Sequence, residues 1–527
     1  MTLRRYYSFA RGLTGCLALL LISAPPAFSQ AAGTTKAGTA DPAGLNLGEL
    51  QEQIQALSSD VRAMKAEVED ARAEAAQLRH ELQNASDQLQ ALKGQLAQAQ
   101  TQSTAAAGPA ENPIPAASVN SRVSKVEEDQ QLLHSEVDTL AQTRVESGSK
   151  YRVRLSGVAL FTAFSTRGNL ANYDLPTYAQ PATPGETNSV LGATARQSIL
   201  GLDVYGPDIF GATTRADIRA DFFGGFPDSP EGETTGIMRL RTAGVHLDWK
   251  DTSVVVGQYD PIISPLSPTS LVSTGYPALS SAGNLWVWTP EAYVEHRFGL
   301  TDGSKFIVEG GIMDSLSGQP PMFSPYRDAQ PGEQSGQPAY AGRVAWSNGS
   351  QAAQLGVGGY YALQNWGWGQ KVNSYAVTAD WNAPLGHWFA LSGEFYHGRA
   401  LGGLGAADGQ SVAATGSIGQ PGALIRGLNS TGGWAQLKFM ASQRLEFNGA
   451  FGEDFSLPPS LGYAASETPY VFGYTPLGRN ESAFFNTIYH LRSNLLLSTE
   501  YRRLRTADLQ PGTFSGNVVS LGAAALF

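Results

Sequence analysis

The segment TRADIRADF at residues 214–222 alternates small or apolar side chains with charged ones at every step. In a β-strand, successive side chains point to opposite faces, so one face would carry Arg215, Asp217, Arg219 and Asp221. The period of two therefore predicts a strand that separates an apolar environment from a polar one. A soluble β-sandwich and a membrane β-barrel would both accommodate this single strand.

The spacing of the connections between residues 151 and 527 favours the barrel. Seven short connections alternate with eight long ones that are rich in Pro, Gly and Ser, which predicts sixteen strands. Short turns at one end and long loops at the other are typical of an outer-membrane β-barrel. We therefore predict an all-β membrane protein with a 16-stranded antiparallel transmembrane β-barrel over residues 151–527, preceded by an N-terminal periplasmic α-helical coiled coil. Fourteen or eighteen strands remain alternatives.

The composition agrees with a barrel and excludes other classes. Glycine accounts for 59 of 527 residues, charged residues for 16 % and aromatic residues for 10 %. No internal apolar run reaches eighteen residues, which excludes a bundle of membrane-spanning helices. The net charge is −10 and no basic block follows the N-terminus, so nucleic acid is not an expected partner.

The N-terminus has the pattern of a signal peptide over residues 1–29. Basic residues precede an apolar stretch at 13–24, and the small-residue pattern Ala27-Phe28-Ser29 follows it. Cleavage near Ser29 would remove Cys16, the single cysteine, so we expect no disulfide and no thiolate metal site. A lipobox around Cys16 is the alternative. Residues 30–46 are expected to be a flexible segment.

Two heptad seams follow and predict a stalk. The first coiled coil is expected over residues 47–100, a Pro/Ala linker over 101–118, and a second coiled coil over 119–147. The seam is the only apolar surface of these helices, so it predicts an oligomer, and heptad packing leaves two or three strands open. A single charged helix lying on its own barrel is the alternative.

The last strand also matches a barrel. Val519, Leu521, Ala523 and Ala525 share one face, and the sequence given closes on the aromatic Phe527. This pattern resembles the insertion signal of outer-membrane barrels, although a final sandwich strand could look similar.

Arginine dominates the basic residues of the predicted barrel. A charged side chain that faces the middle of a bilayer costs about 2–4 kcal/mol, so the charged faces are assigned to the lumen. A guanidinium group pairs bidentately with carboxylate or phosphate, which suits anionic solutes. A charge-balanced structural ladder is the alternative, because aspartates share these strands. The predicted pore-lining and substrate-binding residues are Arg152, Arg154, Arg215, Arg219, Arg239, Arg241, Asp217 and Asp221, with Arg502, Arg503 and Arg505 nearby on the fifteenth strand.

Four motifs suggest a family. They are RQSILGLD at 196–203, ADIRADFFG at 216–224, MRLR at 238–241 and VVVGQ at 254–258. Together with the stalk and the barrel they resemble the DcaP-like trimeric outer-membrane porins. The resemblance implies a homotrimer with a periplasmic coiled coil before a sixteen-stranded barrel, and diffusion or facilitated uptake of small anions, including dicarboxylates, through an arginine-lined pore.

The third long connection, residues 260–289, is too apolar for a free surface loop. In sixteen-stranded porins the loop after the fifth strand folds inward, and this segment holds the same place. We predict a constriction loop, with packing at a subunit contact as the alternative. Its assigned residues are Asp260, Ile262, Ile263, Leu266 and Leu271.

No catalytic constellation is found, so we expect neither an enzyme nor a cofactor nor a metal site. The histidines show no metal-ligand spacing, and no serine elbow or phosphate-binding loop is present. The predicted function is an outer-membrane porin for small, preferably anionic solutes such as carboxylates and dicarboxylates, with outer-membrane lipid around it. The alternative is a structural outer-membrane anchor whose stalk tethers peptidoglycan.

Overall fold

The computed structural model describes residues 151–527 except 183, 186, 228–231, 233, 319–326, 349–352, 416–417, 458–476 and 509–511. The predicted signal peptide, the flexible segment 30–46, both coiled coils and the linker lie outside the described residues. No helix within the described part is long and apolar enough to cross a bilayer.

The described residues form nineteen β-strands and three short 3-10 helices, Glu333–Ser335, Gly402–Leu404 and Ala406–Gly409. The strands are β1 (Arg152–Arg167), β2 (Ser189–Thr194), β3 (Ile199–Tyr205), β4 (Thr213–Asp221), β5 (Arg239–Asp248), β6 (Thr252–Tyr259), β7 (Thr289–Gly299), β8 (Lys305–Met313), β9 (Ala339–Ser347), β10 (Gln354–Asn365), β11 (Lys371–Leu385), β12 (Phe389–Arg399), β13 (Val412–Ala414), β14 (Ile425–Gly427), β15 (Asn429–Ser442), β16 (Leu445–Leu457), β17 (Leu477–Arg492), β18 (Leu495–Asp508) and β19 (Thr513–Leu526).

The sheet closes into a barrel of sixteen strands. Each strand pairs antiparallel with its neighbours, and β19 returns to pair with β1 from Val158↔Leu526 to Arg167↔Asn517. β2 and β3 both pair with β1 and form one barrel strand that is interrupted at residues 195–198. β13 and β14 form a separate hairpin in the connection between β12 and β15. The predicted sixteen-stranded antiparallel barrel is therefore confirmed.

The two faces of the barrel differ as the alternation predicts. On β10, Leu355, Val357 and Tyr361 are exposed on the outside, whereas Tyr360 and Ala362 are buried on the inside. Four outward rings stack across neighbouring strands with centroids 4.9–6.1 Å apart, namely Phe389, Phe439, Phe447 and Phe485. An apolar outer band with aromatic residues is typical of barrels that sit in a bilayer.

Short turns and long connections gather at opposite ends of the barrel. The turn between β5 and β6 spans residues 249–251 and that between β17 and β18 spans 493–494, whereas the connection from β6 to β7 spans 260–288. We call these ends the short-turn end and the long-loop end. The long connections position the residues that fill the lumen.

Candidate functional site: the barrel lumen

The connection 260–288, which we call the inward loop, runs along the inner wall of the barrel. Its successive backbone and side-chain groups hydrogen-bond to β11, β12, β15, β17 and β18, and then to the interruption between β2 and β3. These partners lie around most of the circumference, so the loop lies inside the barrel. Packing of this segment at a subunit contact, the alternative from the sequence, does not fit these contacts.

Buried polar side chains anchor the inward loop to the wall formed by β12, β15 and β18. Glu394 accepts hydrogen bonds from the Ser264 hydroxyl at 2.6 Å and from the Leu266 amide at 2.7 Å. The Thr269 amide donates to Gln436 at 2.6 Å. The Ser270 hydroxyl donates to Glu500 at 2.5 Å. A hydrogen bond contributes about 0.5–1.5 kcal/mol net, so these four contacts together hold the loop against the wall.

Apolar residues of the inward loop fill the space between the anchors. Ile262 and Ile263 are buried in a cluster with Leu285, Tyr360 and Tyr396.

Farther along the loop, Leu266 packs against the cluster that contains Trp434 and Phe484, and Leu271 packs against the cluster that contains Leu160 and Ile488. The fifth assigned residue, Asp260, is exposed at the start of the loop. These contacts explain why the segment is apolar although it is not a strand.

Gly283 lies where the inward loop touches the barrel backbone. Its φ is +95°, and a Cβ placed there would lie 2.2 Å from the carbonyl oxygen of Gly433 and 2.6 Å from that of Glu453. Only glycine fits this close approach to the backbones of two adjacent strands.

The connection between β12 and β15 closes over the inward loop. The Ser281 hydroxyl donates to Asp408 at 2.8 Å, and the Trp286 amide donates to the Leu404 carbonyl at 3.1 Å. Burial raises the pKa of the Asp408 carboxyl above its ordinary value, and the Ser281 hydrogen bond opposes that shift. The two connections therefore narrow the lumen together.

Two predicted pore residues, Arg239 and Arg241, share one carboxylate. Arg239 Nε lies 2.9 Å and Arg241 Nη1 lies 3.2 Å from Asp221, whose side chain is fully buried. A register shift at Arg219/Ala220 places Arg241 at a bulge, which allows both guanidinium groups to reach Asp221. They also donate to backbone carbonyls at residues 274 and 275 of the inward loop. The arginines thus hold the loop against β5.

Aromatic rings surround this arginine pair. The Arg239 guanidinium lies 4.8 Å from the Tyr276 ring centroid, and that of Arg241 lies 4.4 Å from the Trp288 ring centroid. Phe223 packs edge-on to Tyr276 at 5.1 Å. Sequence reasoning missed these rings, although Tyr276 and Trp288 lie in the segment already assigned to the inward loop. Cation–π contact fixes the guanidinium planes and leaves 22 % of Arg239 and 15 % of Arg241 exposed.

The remaining charged residues of β3–β5 are partly paired. Arg219 donates to Asp203 at 2.7 Å. Asp217 accepts a hydrogen bond from the Tyr259 hydroxyl at 2.8 Å and lies 2.9 Å from His246 Nε2.

At the short-turn end, Arg152, Arg154 and Arg215 point inward. Among the described side chains, no carboxylate lies within 4.0 Å of them. Arg152 stacks on the Tyr205 ring at 4.2 Å. Within the described part of the chain, this end of the lumen therefore carries cationic groups without a carboxylate in direct contact.

The opposite inner wall, built by β7–β12, carries carboxylates and paired cations. Arg343 lies 2.7 Å from both Glu309 and Asp380, and its side chain is only 2 % exposed. Arg297 pairs with Glu295. A cavity of about 440 Å³ lies against this wall and beneath Pro265 of the inward loop. A cavity therefore lies between the loop and this wall.

Two of the arginines on β18 differ from the sequence expectation. Arg502 points inward and pairs with Glu500 at 2.7 Å. Arg503 and Arg505 are exposed on the outer face of the barrel instead of the lumen. Adjacent residues of a strand point to opposite faces, so Arg502 and Arg503 cannot both line the pore.

No group of three or more potential metal ligands occurs among the described residues. The site therefore consists of side-chain charges, aromatic rings and water-accessible volume, an arrangement that can bind and orient a passing ion.

Comparison with known proteins identifies the fold. No protein-family model matches the chain, and no curated protein matches it. A crystal structure of the outer membrane channel DcaP of Acinetobacter baumannii is similar over 73 % of this chain and all of the other, with 14 % identity and a TM-score of 0.54. An anion-selective porin from Comamonas acidovorans matches over 72 % of this chain and all of its own, with 13 % identity and a TM-score of 0.45. The resemblance to DcaP-like porins is confirmed as a resemblance of fold.

Proposed function

We propose that this protein is an outer-membrane porin that passes small, preferably anionic solutes, including carboxylates and dicarboxylates, by passive or facilitated diffusion. The observation that carries the proposal is the inward loop, which narrows the lumen and is held at β5 by Arg239 and Arg241. The guanidinium groups of Arg239 and Arg241 stay partly exposed beside the loop, where an anion in the lumen can approach them. The protein acts as a channel and not as an enzyme.

The exposure of the charged groups supports a preference for anions. Glu394, Asp380 and Glu500 are at most 4 % exposed and are occupied by the loop or by arginine. Arg219, Arg239 and Arg241 keep 15–30 % of their side chains exposed. Two carboxylates are exposed or partly exposed as well, namely Asp260 on the inward loop and Glu295, which pairs with Arg297. Where accessible guanidinium groups outnumber such carboxylates, a narrow lumen with low-dielectric walls concentrates anions. We assign Arg152, Arg154 and Arg215 to the pore lining as well, which extends the row of cationic groups to the short-turn end.

The location and assembly belong to the same proposal. The apolar outer band and the porin-like fold support the bacterial outer membrane, with the short-turn end toward the periplasm. The heptad seams predicted at 47–100 and 119–147 support a periplasmic stalk that joins the barrels as a homotrimer. A stalk of this kind could also reach peptidoglycan, so transport and anchoring are compatible roles.

Solute flux into proteoliposomes tests the proposal. We expect vesicles that contain the full chain to swell faster in a dicarboxylate such as succinate than in a diamine of the same length. A neutral polyol of similar size should fall between them. Equal rates for the three solutes would remove the anion preference and retain the porin. Inserted protein without any flux would favour the anchor instead.

A variant that removes the charges but keeps the fold tests whether these charges set the selectivity. Combining Asp221→Asn with Arg239→Gln and Arg241→Gln removes the three charges and keeps groups that can hydrogen-bond. We expect this triple variant to insert normally and to lose the difference between succinate and the diamine.

A further inference from the structure

The outer face of β16–β19 and β1 carries a cluster of charged residues at the long-loop end. The four arginines Arg167, Arg479, Arg503 and Arg505 are exposed there, and the two glutamates Glu453 and Glu481 are partly exposed. Four cations against two anions leave this patch positive. We call these six residues the outer arginine patch.

The strand register places the patch on neighbouring strands. Arg167 pairs across β1 and β19 with Asn517, which in turn pairs with Arg503 on β18. Strands lie 4.7–4.9 Å apart, so Arg167 and Arg503 lie about 10 Å from each other at one height. Arg505 lies two residue pairs farther toward the long-loop end and opposite Ser515. An open groove of about 480 Å³ lined by Arg167, Ser515 and Asn517 adjoins the row.

Internal ion pairs occupy only part of the patch. Arg479 lies 2.8 Å from both Glu453 and Glu481, and Arg505 lies 3.6 Å from Glu481. No described carboxylate lies within 4.0 Å of Arg167 or Arg503. Two guanidinium groups thus face outward without a counter-charge from the described residues.

The height of the row matches a membrane interface. From the pair Leu495↔Ala525 to the pair Arg503↔Asn517 there are eight residue steps. At about 3.4 Å per residue and a tilt of about 40°, this rise is about 21 Å, close to the apolar band of about 25 Å. Below the row, Tyr501, Val519 and Leu521 are exposed and apolar or aromatic. Acyl chains would lie on those residues, and headgroups would lie beside the arginines.

The opposite side of the barrel differs in composition near the long-loop end, where Lys371 and Asn373 are exposed on β11 together with tyrosines. Tyr340, Tyr361 and Tyr375 pair across β9, β10 and β11 near the long-loop end and are 43–49 % exposed. Tyrosines are the usual residues at that level of a barrel. On β18 and β1, arginines are exposed near the long-loop end instead.

We propose that Arg167, Arg503 and Arg505 bind the phosphate groups of a phosphorylated glycolipid in the outer leaflet. The proposal rests on the outer-membrane location inferred above and goes beyond the transport function. Arginine binds phosphate bidentately, and the hydroxyl and amide groups of Ser515 and Asn517 can donate or accept beside it. The bound lipid forms a fixed contact on one side of the barrel.

Binding of bisphosphorylated lipid A to the purified full chain, followed by native mass spectrometry, tests this proposal. We expect Arg167→Gln with Arg503→Gln to weaken binding by about tenfold or more, because two charge-assisted contacts are lost. The control Arg152→Gln with Arg154→Gln removes the same charge from the inner face and should leave lipid binding within about twofold of the wild type. Dephosphorylated lipid A should bind weakly to every variant.

Three results would overturn the proposal. One is equal binding of lipid A by the outward double variant and the wild type. Another is displacement of lipid A by inorganic phosphate at equal concentration, which would indicate a bare anion site. The third is a change of oligomer size in the outward variant with unchanged lipid binding, which would assign the patch to a subunit contact. The double variant Arg167→Lys with Arg503→Lys keeps both charges, so it should still bind lipid A. If it binds and the glutamine variant does not, the loss of binding comes from the lost charge and not from misfolding. Solute flux, measured on the same preparations, reports separately on the proposed channel.

Discussion

The wall of the lumen built by β3–β5 and the wall built by β7–β12 both carry arginines and carboxylates, but they use them differently. On the first wall Arg239 and Arg241 share Asp221 and stay partly open to the lumen. On the second wall Arg343 is closed between Glu309 and Asp380, and Glu394 is bound to the inward loop. We call these the arginine wall and the carboxylate wall.

The two walls show that a charged side chain can either stabilise the fold or act on a passing solute, depending on its exposure. A buried, fully paired charge contributes to the shape of the lumen and little to the field that a solute meets. A partly exposed guanidinium next to an aromatic ring keeps its position and remains available to an anion. The number of charges on a wall therefore says less about selectivity than the exposure of each one.

The largest expected effect is on stability and lies on the carboxylate wall. Arg343→Gln leaves Glu309 and Asp380 buried without their cation, and breaking such a pair costs about 3–5 kcal/mol. Denaturant unfolding in lipid vesicles measures this loss. Arg343→Gln combined with Asp380→Asn should recover part of it, and a single variant as stable as the wild type would contradict the structural role.

The next effect is on selectivity and lies on the arginine wall. Neutralising Asp221, Arg239 and Arg241 together should reduce the ratio of anion to cation permeability by several fold while the barrel stays folded. Bi-ionic potentials in planar bilayers measure that ratio. If the ratio is unchanged, the accessible charge that controls permeation lies elsewhere.

A smaller effect is expected at the short-turn end. Arg152→Gln with Arg154→Gln should lower anion conductance moderately at low salt and hardly at all at high salt. The reason is that water-exposed charges are screened beyond about 10 Å at 0.1 M ionic strength. Conductance measured across a series of salt concentrations tests this, and a loss that does not depend on salt would assign these residues a direct binding role.

The smallest effect concerns the contact between the two inward connections. Burial raises the pKa of Asp408, so the folded state favours its protonated form and loses stability as pH rises above the ordinary aspartate value. Asp408→Asn keeps an acceptor for Ser281 and should slightly stabilise the protein at neutral pH, with no gain in acid. Unfolding midpoints at acidic and neutral pH show this difference, and a stability loss at neutral pH would contradict it.

The strand number could be predicted because alternation and turn composition are local properties. The inward course of residues 260–288 also followed from their apolar content, since only a covered segment can carry so many such residues. The anchors Glu394, Gln436 and Glu500 could not be predicted. They lie more than 120 residues from the loop residues that they bind, and only the barrel closure brings them together.

The positions of individual arginines were only partly predictable. Arg215 and Arg219 follow strict alternation on β4, so their inward direction was evident. Arg241 reaches Asp221 through a bulge, which no pattern indicates. Arg503 and Arg505 were assigned to the lumen because charge was expected to avoid lipid, although their neighbour Arg502 already occupied the inner face.

The most direct test of the central claim is the zero-current potential of the wild-type channel in a planar bilayer under a tenfold gradient of potassium chloride. If the arginine wall is accessible, the potential has the sign set by chloride. In the triple variant at Asp221, Arg239 and Arg241 the potential falls toward zero. A potential of the sign set by potassium would contradict the account, because it would mean that the carboxylate wall dominates the field in the lumen.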